Sequence, residues 1–139
     1  MDPNTTPETP TNGKKVLIIE DEQFISELYI RALTKAGYEV KVIIDGEAAL
    51  KEAQSNTYDI ILLDIMLPNM TGTEILRRLR DMQQTPNLRA KIIITTNLEL
   101  AEEGRAAIEA QADGYIVKAE VTPKELAIFL DQLQINAQS

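Results

Sequence analysis

The sequence predicts an α/β fold: a doubly wound parallel sheet of five strands carrying five helices, in the order (βα)5. Three observations lead there. Short, β-branched apolar runs alternate along the chain with segments whose apolar residues recur at helical spacing. The connections between them are short, so each helix must return the chain to the same edge of a parallel sheet, with helices on both faces. With 139 residues, 44% of them hydrophobic and 26% charged, the chain can bury one core and is expected to form a single domain.

The elements follow in order. Residues 1–13, rich in Pro and Thr, are expected to form a flexible tail, and residues 14–137 the domain. Lys15 to Ile19 reads as a buried strand. Ile25, Leu28, Ala32, Leu33 and Ala36 mark a helix that Gly37 closes. Tyr38 to Ile44 is a second strand, and Asp45 caps a helix through about Gln54. Tyr58 to Asp64 is the most apolar strand and is expected at the centre. Thr71 and Glu74 have capping-box spacing for a helix through about Met82. Lys91 to Thr95 is the fourth strand, Glu99 to Ala110 the fourth helix and Tyr115 to Val117 the fifth strand. Thr122-Pro123-Lys124-Glu125 is a second capping box, with proline in the first helical position, and opens a helix to about Ile135.

Composition removes several kinds of chemistry. Cys and His are both absent, which excludes disulfides, zinc held by thiolate or imidazole, and every catalytic arrangement built on His or Cys. The charge sum is 14 − 22 = −8, which disfavours direct nucleic-acid binding. No secretory signal is visible, and no apolar run could span a bilayer, so the chain is expected to be cytoplasmic and not membrane-bound. What remains is chemistry by carboxylates, hydroxyls, Lys or Arg, with a hard metal where one is needed.

In a parallel doubly wound sheet the strand C-termini emerge at one edge, where ligands bind. Here that edge receives Glu20 and Asp21 from strand one, Asp64 from strand three, Thr95 and Thr96 from strand four and Lys118 from strand five. Converging carboxylates repel one another unless a cation intervenes. Mg²⁺ with oxygen ligands and the Lys118 ammonium are the two cations this sequence suggests. Taken singly, each residue has an ordinary structural reading: a strand-end cap, a solvated turn, a surface lysine. Together they suit phosphoryl chemistry. Asp64 would be the nucleophile, Asp21 and Glu20 would hold metal, and Lys118 and Thr95 would stabilise the transferred group.

The segments VLIIEDE (16–22), DIILLDIMLPNMTG (59–72), KIIITTN (91–97) and GYIVK (114–118) resemble the receiver domain of two-component response regulators, over about residues 14–137. The likeness is to a stand-alone, chemotaxis-regulator-like receiver. It implies a flavodoxin-like sheet and a phosphoacceptor signalling domain in a phosphorelay, not an enzyme beyond its own phosphorylation and dephosphorylation. Asp64 would accept a phosphoryl group from a histidine kinase or histidine phosphotransfer protein. Mg²⁺ would be held by Asp21, Asp64 and the backbone carbonyl of Met66, with Glu20 helping. Thr95, or Thr96 one residue on, would turn inward on phosphorylation. Tyr115 would move from exposed to buried and remodel the face of helix four, strand five and helix five for a downstream protein effector. A homodimer formed on phosphorylation stays open.

One departure from the family pattern stands out. Ala119 follows Lys118 where the family usually has proline, often cis; a cis bond before a non-proline residue costs about 3 kcal/mol. Two other readings are weaker. A phosphohydrolase of the haloacid dehalogenase type would want an acid where Met66 stands. A receiver-like module that never takes phosphate would have no reason to keep Glu20, Asp21, Asp64, Thr95 and Lys118.

Overall fold

The computed structural model describes residues 12–55, 57–81, 83–86, 88–97 and 102–138. The expected tail falls almost wholly outside the described residues. The chain runs β1 (Lys15–Ile19), α1 (Gln23–Lys35), β2 (Glu39–Ile43), α2 (Gly46–Gln54), β3 (Ile60–Asp64), α3 (Gly72–Leu79), β4 (Lys91–Thr96), α4 (Glu102–Glu109), β5 (Gly114–Val117), a 3₁₀ turn (Lys118–Glu120) and α5 (Pro123–Gln138). All strand pairs are parallel, in the order β2-β1-β3-β4-β5. The doubly wound five-stranded sheet forms as expected, and β3 is its central strand.

Alternation along the strands builds two cores. Val16, Ile18, Ile60, Leu62, Ile93 and Ile116 face α1 and α5, where Tyr29, Leu33, Leu126 and Leu130 meet them. Leu17, Ile19, Ile61, Leu63, Ile92 and Ile94 face α2, α3 and α4, against Ala49, Leu50, Ile75, Leu76, Leu79 and Ile108. A strand buried on both faces has to be apolar throughout, and Ile60 to Leu63 meets that demand. None of the described helices is long and apolar enough to cross a membrane.

Helix ends explain where the chain turns. Gly37 takes φ 99°, the left-handed conformation that glycine adopts most readily. Its N–H donates to Thr34 O and the Tyr38 N–H donates to Leu33 O, both at 3.0 Å, a Schellman closure of α1. Asp45 accepts from the Ala48 N–H at 2.9 Å and starts α2. Thr122 and Glu125 form a complete capping box: Glu125 N–H donates to Thr122 Oγ1 at 3.1 Å and Thr122 N–H donates to Glu125 Oε1 at 3.0 Å.

Several boundaries differ from expectation. The Thr71 box is only half made: Thr71 Oγ1 accepts from Glu74 N–H, while the Glu74 carboxylate pairs with Arg77 and Arg78. α3 stops at Leu79 and not near Met82, because Asp81 accepts from Gln83 N–H and turns the chain. β2 is shorter at both ends, since the Tyr38 N–H closes α1 and Ile44 is exposed. β3 begins at Ile60 and not at Tyr58, whose hydroxyl donates to Glu52. β4 runs on to Thr96, β5 starts at Gly114 and α5 extends past Ile135. α4 begins at Glu102; the start expected near Glu99 lies outside the described residues. The 3₁₀ turn after β5 was not expected. No cis peptide bond occurs among the described residues, so Lys118–Ala119 is trans.

Candidate functional site

Each polar residue at the C-terminal edge is placed by the strand beneath it. Asp64 is the last residue of β3 and pairs in register with Thr95 of β4, which pairs in turn with Ile116 of β5. Register partners in a parallel sheet share a face, so Asp64 and Thr95 point to the side of α1 and α5. Thr96 alternates to the other side. Both threonines are buried. Glu20 directly follows β1, and Lys118 directly follows β5 as the first residue of the 3₁₀ turn.

Lys118 draws the set together. Its ammonium lies 3.2 Å from Asp64 Oδ2 and forms an ion pair with Glu20 Oε1. All three residues are buried: Glu20 and Asp64 are each 2% exposed and Lys118 8%. The other Asp64 oxygen, Oδ1, accepts from the Met66 N–H at 2.9 Å, and Glu20 Oε2 accepts from the Glu22 N–H at 3.1 Å. Glu20, Asp21 and Asp64 each offer a carboxylate oxygen within 4.8 Å of the others. Glu20 Oε1 is buried without a well-aligned hydrogen bond, with the Lys118 ammonium as its counter-charge. Three hard oxygen donors and one of them short of a hydrogen bond suit a small divalent cation such as Mg²⁺.

The electrostatics follow from burial. Loss of solvent pushes the Glu20 carboxyl up to about 7; the Lys118 ammonium beside it opposes this and the neighbouring Asp64 adds to it. Burial alone would lower the Lys118 ammonium, but its contacts with Glu20 and Asp64 outweigh that and raise it. Lys118 therefore stays charged. A consequence can be measured in metal-free buffer. A carboxyl whose folded pKa is raised contributes stability that is complete below its unfolded pKa and is lost as pH rises through the folded one. Urea midpoints of the wild type should therefore fall relative to those of Glu20→Gln between about pH 5 and about pH 8. Parallel curves would contradict the assignment.

The remaining expected residues sit apart from this cluster or at its rim. The Met66 side chain is exposed, and the structure ties the residue to Asp64 through its N–H. Tyr115 is half-buried on β5 and packs against the core on the α2–α4 side, with the Arg105 guanidinium 4.6 Å from its ring centroid. Three features were not foreseen. Gly72 opens α3 directly against the Asp64 and Ile65 backbone. Asn97 donates to Glu22 Oε1 at 3.2 Å, joining the β4–α4 and β1–α1 turns beside the site. Arg105 covers Tyr115. Gly72 was legible in principle as a glycine in a helix N-terminus next to the central strand end; nothing in the sequence marks Arg105.

Comparison with known proteins agrees with this geometry. The response regulator receiver domain model matches residues 16–130. The response regulator ArlR of Staphylococcus saprophyticus is 44% identical over 104 residues, 75% of this chain and 45% of that protein. The chain thus spans about half the length of the curated relatives it matches. Among solved structures, a CheY-like receiver domain protein from Methanospirillum hungatei superposes with a TM-score of 0.76 at 28% identity, covering 90% of this chain and 96% of that one. TrrA of Thermotoga maritima, solved in complex with Mg²⁺-BeF, gives a TM-score of 0.63 at 35% identity and covers 76% of this chain and 86% of that one. Sequence, sheet order and relatives agree: this chain belongs to the response regulator receiver domain family of two-component systems.

Proposed function

We propose that this receiver domain takes a phosphoryl group on Asp64 in a Mg²⁺-dependent reaction, from a phosphohistidine of a histidine kinase or phosphotransfer protein. The observation that carries the reading is the buried contact of Lys118 with Asp64 and Glu20 at the edge of the central strand. One oxygen of the Asp64 carboxylate attacks phosphorus, the donor N–P bond breaks, and the imidazole leaves with the electron pair. The product is an acyl phosphate on Asp64. Lys118, already within 3.2 Å of Asp64 Oδ2, neutralises charge on the incoming oxygens. A hydroxyl donor to the same group comes from β4: Thr95 shares the Asp64 face and pairs with it in register, while Thr96 lies one residue nearer the open edge. Single alanine variants of the two assign it. Asp21, Asp64, Glu20 and the Met66 carbonyl would hold Mg²⁺, which when bound supplies positive charge to the phosphoryl oxygens. The Mg²⁺-BeF complex of TrrA, a relative of similar fold, supports the same assignment by likeness.

The output is proposed to pass through Tyr115 and the face of α4, β5 and α5 to a protein effector. An acidic chain with net charge −8 suits protein partners better than nucleic acid. The test is phosphoryl incorporation from acetyl phosphate with and without a chelator. Incorporation with Mg²⁺ that disappears on chelation is expected. Equal incorporation in both would remove the metal from the reaction.

A further inference from the structure

We infer that Arg105 is a positioning residue that latches Tyr115 in the resting arrangement of the domain and so opposes the response to phosphorylation. The inference rests on the phosphoacceptor reading of Asp64 and the switch role proposed for Tyr115. Three contacts carry it. The Arg105 guanidinium on α4 lies over the Tyr115 ring on β5, 4.6 Å from its centroid, within the range of a cation–π contact. Arg105 is itself held in place, because its Nε donates to Glu109 Oε1 at 2.8 Å, one turn along the same helix. Tyr115 is half-buried and packs against the core on the α2–α4 side, so its ring is held between that core and the α4 cation.

The clasp belongs to the resting site. Both Asp64 oxygens are taken by donors of the chain itself, Oδ1 by the Met66 N–H and Oδ2 by Lys118. An acyl phosphate on Asp64 replaces one of those contacts. Any rearrangement of Tyr115 that follows has to slide the ring from beneath Arg105. The Arg105 side chain is about half exposed (49%), so the contact has the modest strength of a solvated cation–π pair. That strength corresponds to roughly a two- to fivefold bias between the two arrangements. Coupling is reciprocal: whatever Arg105 adds to the resting arrangement it subtracts from the apparent affinity of a phosphoryl group or its mimic at Asp64.

The test is titration of the whole chain with beryllofluoride and Mg²⁺, followed by the amide resonances around Asp64, together with the Arg105 Nε–H resonance, which the Tyr115 ring current shifts. Arg105→Ala should bind the mimic roughly two- to fivefold more tightly than wild type. Arg105→Lys, which keeps the charge but loses the planar stacking, should fall between them. In a Tyr115→Ala background, Arg105→Ala should change nothing, which a merely structural role for Arg105 would not produce. The Arg105 Nε–H resonance should move toward its unstacked position as the mimic saturates. Unchanged or weaker binding by Arg105→Ala, or an equal effect with and without Tyr115, overturns the latch while leaving the phosphoacceptor reading intact. A wild-type chain that shows no saturable response overturns that reading, and the latch with it.

Discussion

Lys118→Met is expected to lose about 3 kcal/mol or more of stability at neutral pH without metal, as well as its phosphoryl chemistry. The reason is what it leaves behind. Lys118 is the only cation the structure shows in contact with Glu20 and Asp64 among the described residues, and both carboxylates are 2% exposed. Removing one partner of a buried ion pair strands the other charge, which costs far more than the pair contributes. Here the cation is lost from beside two buried carboxyls at once, one of them, Glu20, already pushed up to about 7 by burial. Two further outcomes identify this cause. Lowering the pH should recover much of the loss, because the stranded carboxyls can then protonate. Adding Glu20→Gln to Lys118→Met should recover part of it at neutral pH. A Lys118→Met chain as stable as wild type in metal-free urea titrations would mean that the carboxylates are solvated and that the buried cluster is not the organising feature of this edge.

The second large effect comes from a residue with no side chain. A Cβ added at Gly72 would meet the Asp64 carbonyl and would lie 2.6 Å from Ile65 Cα. Those are backbone atoms of the strand end that carries the proposed nucleophile, so they cannot swing aside as a side-chain tip could. The Gly72 N–H also donates to Ile65 O at 2.9 Å, pinning α3 to this turn. Gly72→Ala is therefore expected to cost about 3 kcal/mol through overpacking against backbone and to displace Asp64 from Lys118. Thermal unfolding reads the first part, and the loss of phosphoryl incorporation even in folded protein reads the second. Wild-type stability and incorporation in Gly72→Ala would show that α3 can back away from the strand end.

The contrast between these two residues marks how far the sequence could be read. The fold was legible almost whole, because a parallel sheet buried on both faces imposes apolar runs such as Ile60 to Leu63 that nothing else in a chain of this polarity requires. The caps were legible where a short polar side chain has one local task, as at Asp45 and Thr122. They were misread where a charged neighbour offered a competing partner: Glu74 has box spacing from Thr71 but pairs with Arg77 and Arg78. Helix α3 ended early for a similar reason, a side-chain-to-backbone contact of Asp81 that periodicity does not register.

At the site, the strand ends alone place Glu20, Asp21, Asp64 and Lys118 at one edge. Which charge meets which was not legible. Lys118 contacts Glu20 as well as Asp64 from the first position of a 3₁₀ turn that the sequence pattern did not mark. The threonine pair shows the limit of strand-end reasoning. β4 continues through Thr96, so the boundary that favoured Thr95 is one residue further on, and single-residue register decides which hydroxyl faces Asp64. Arg105 lay wholly beyond reach, because a contact between a helix surface and the next strand leaves no periodic mark in either segment.

The central claim is that Asp64 is the phosphoacceptor, and intact mass tests it most directly. The chain and its Asp64→Asn variant are incubated with Mg²⁺ and acetyl phosphate and weighed side by side. A single phosphoryl adduct on the wild type that is missing from Asp64→Asn is the predicted result. An adduct that persists in Asp64→Asn, or a wild type that takes none while binding Mg²⁺, would contradict it.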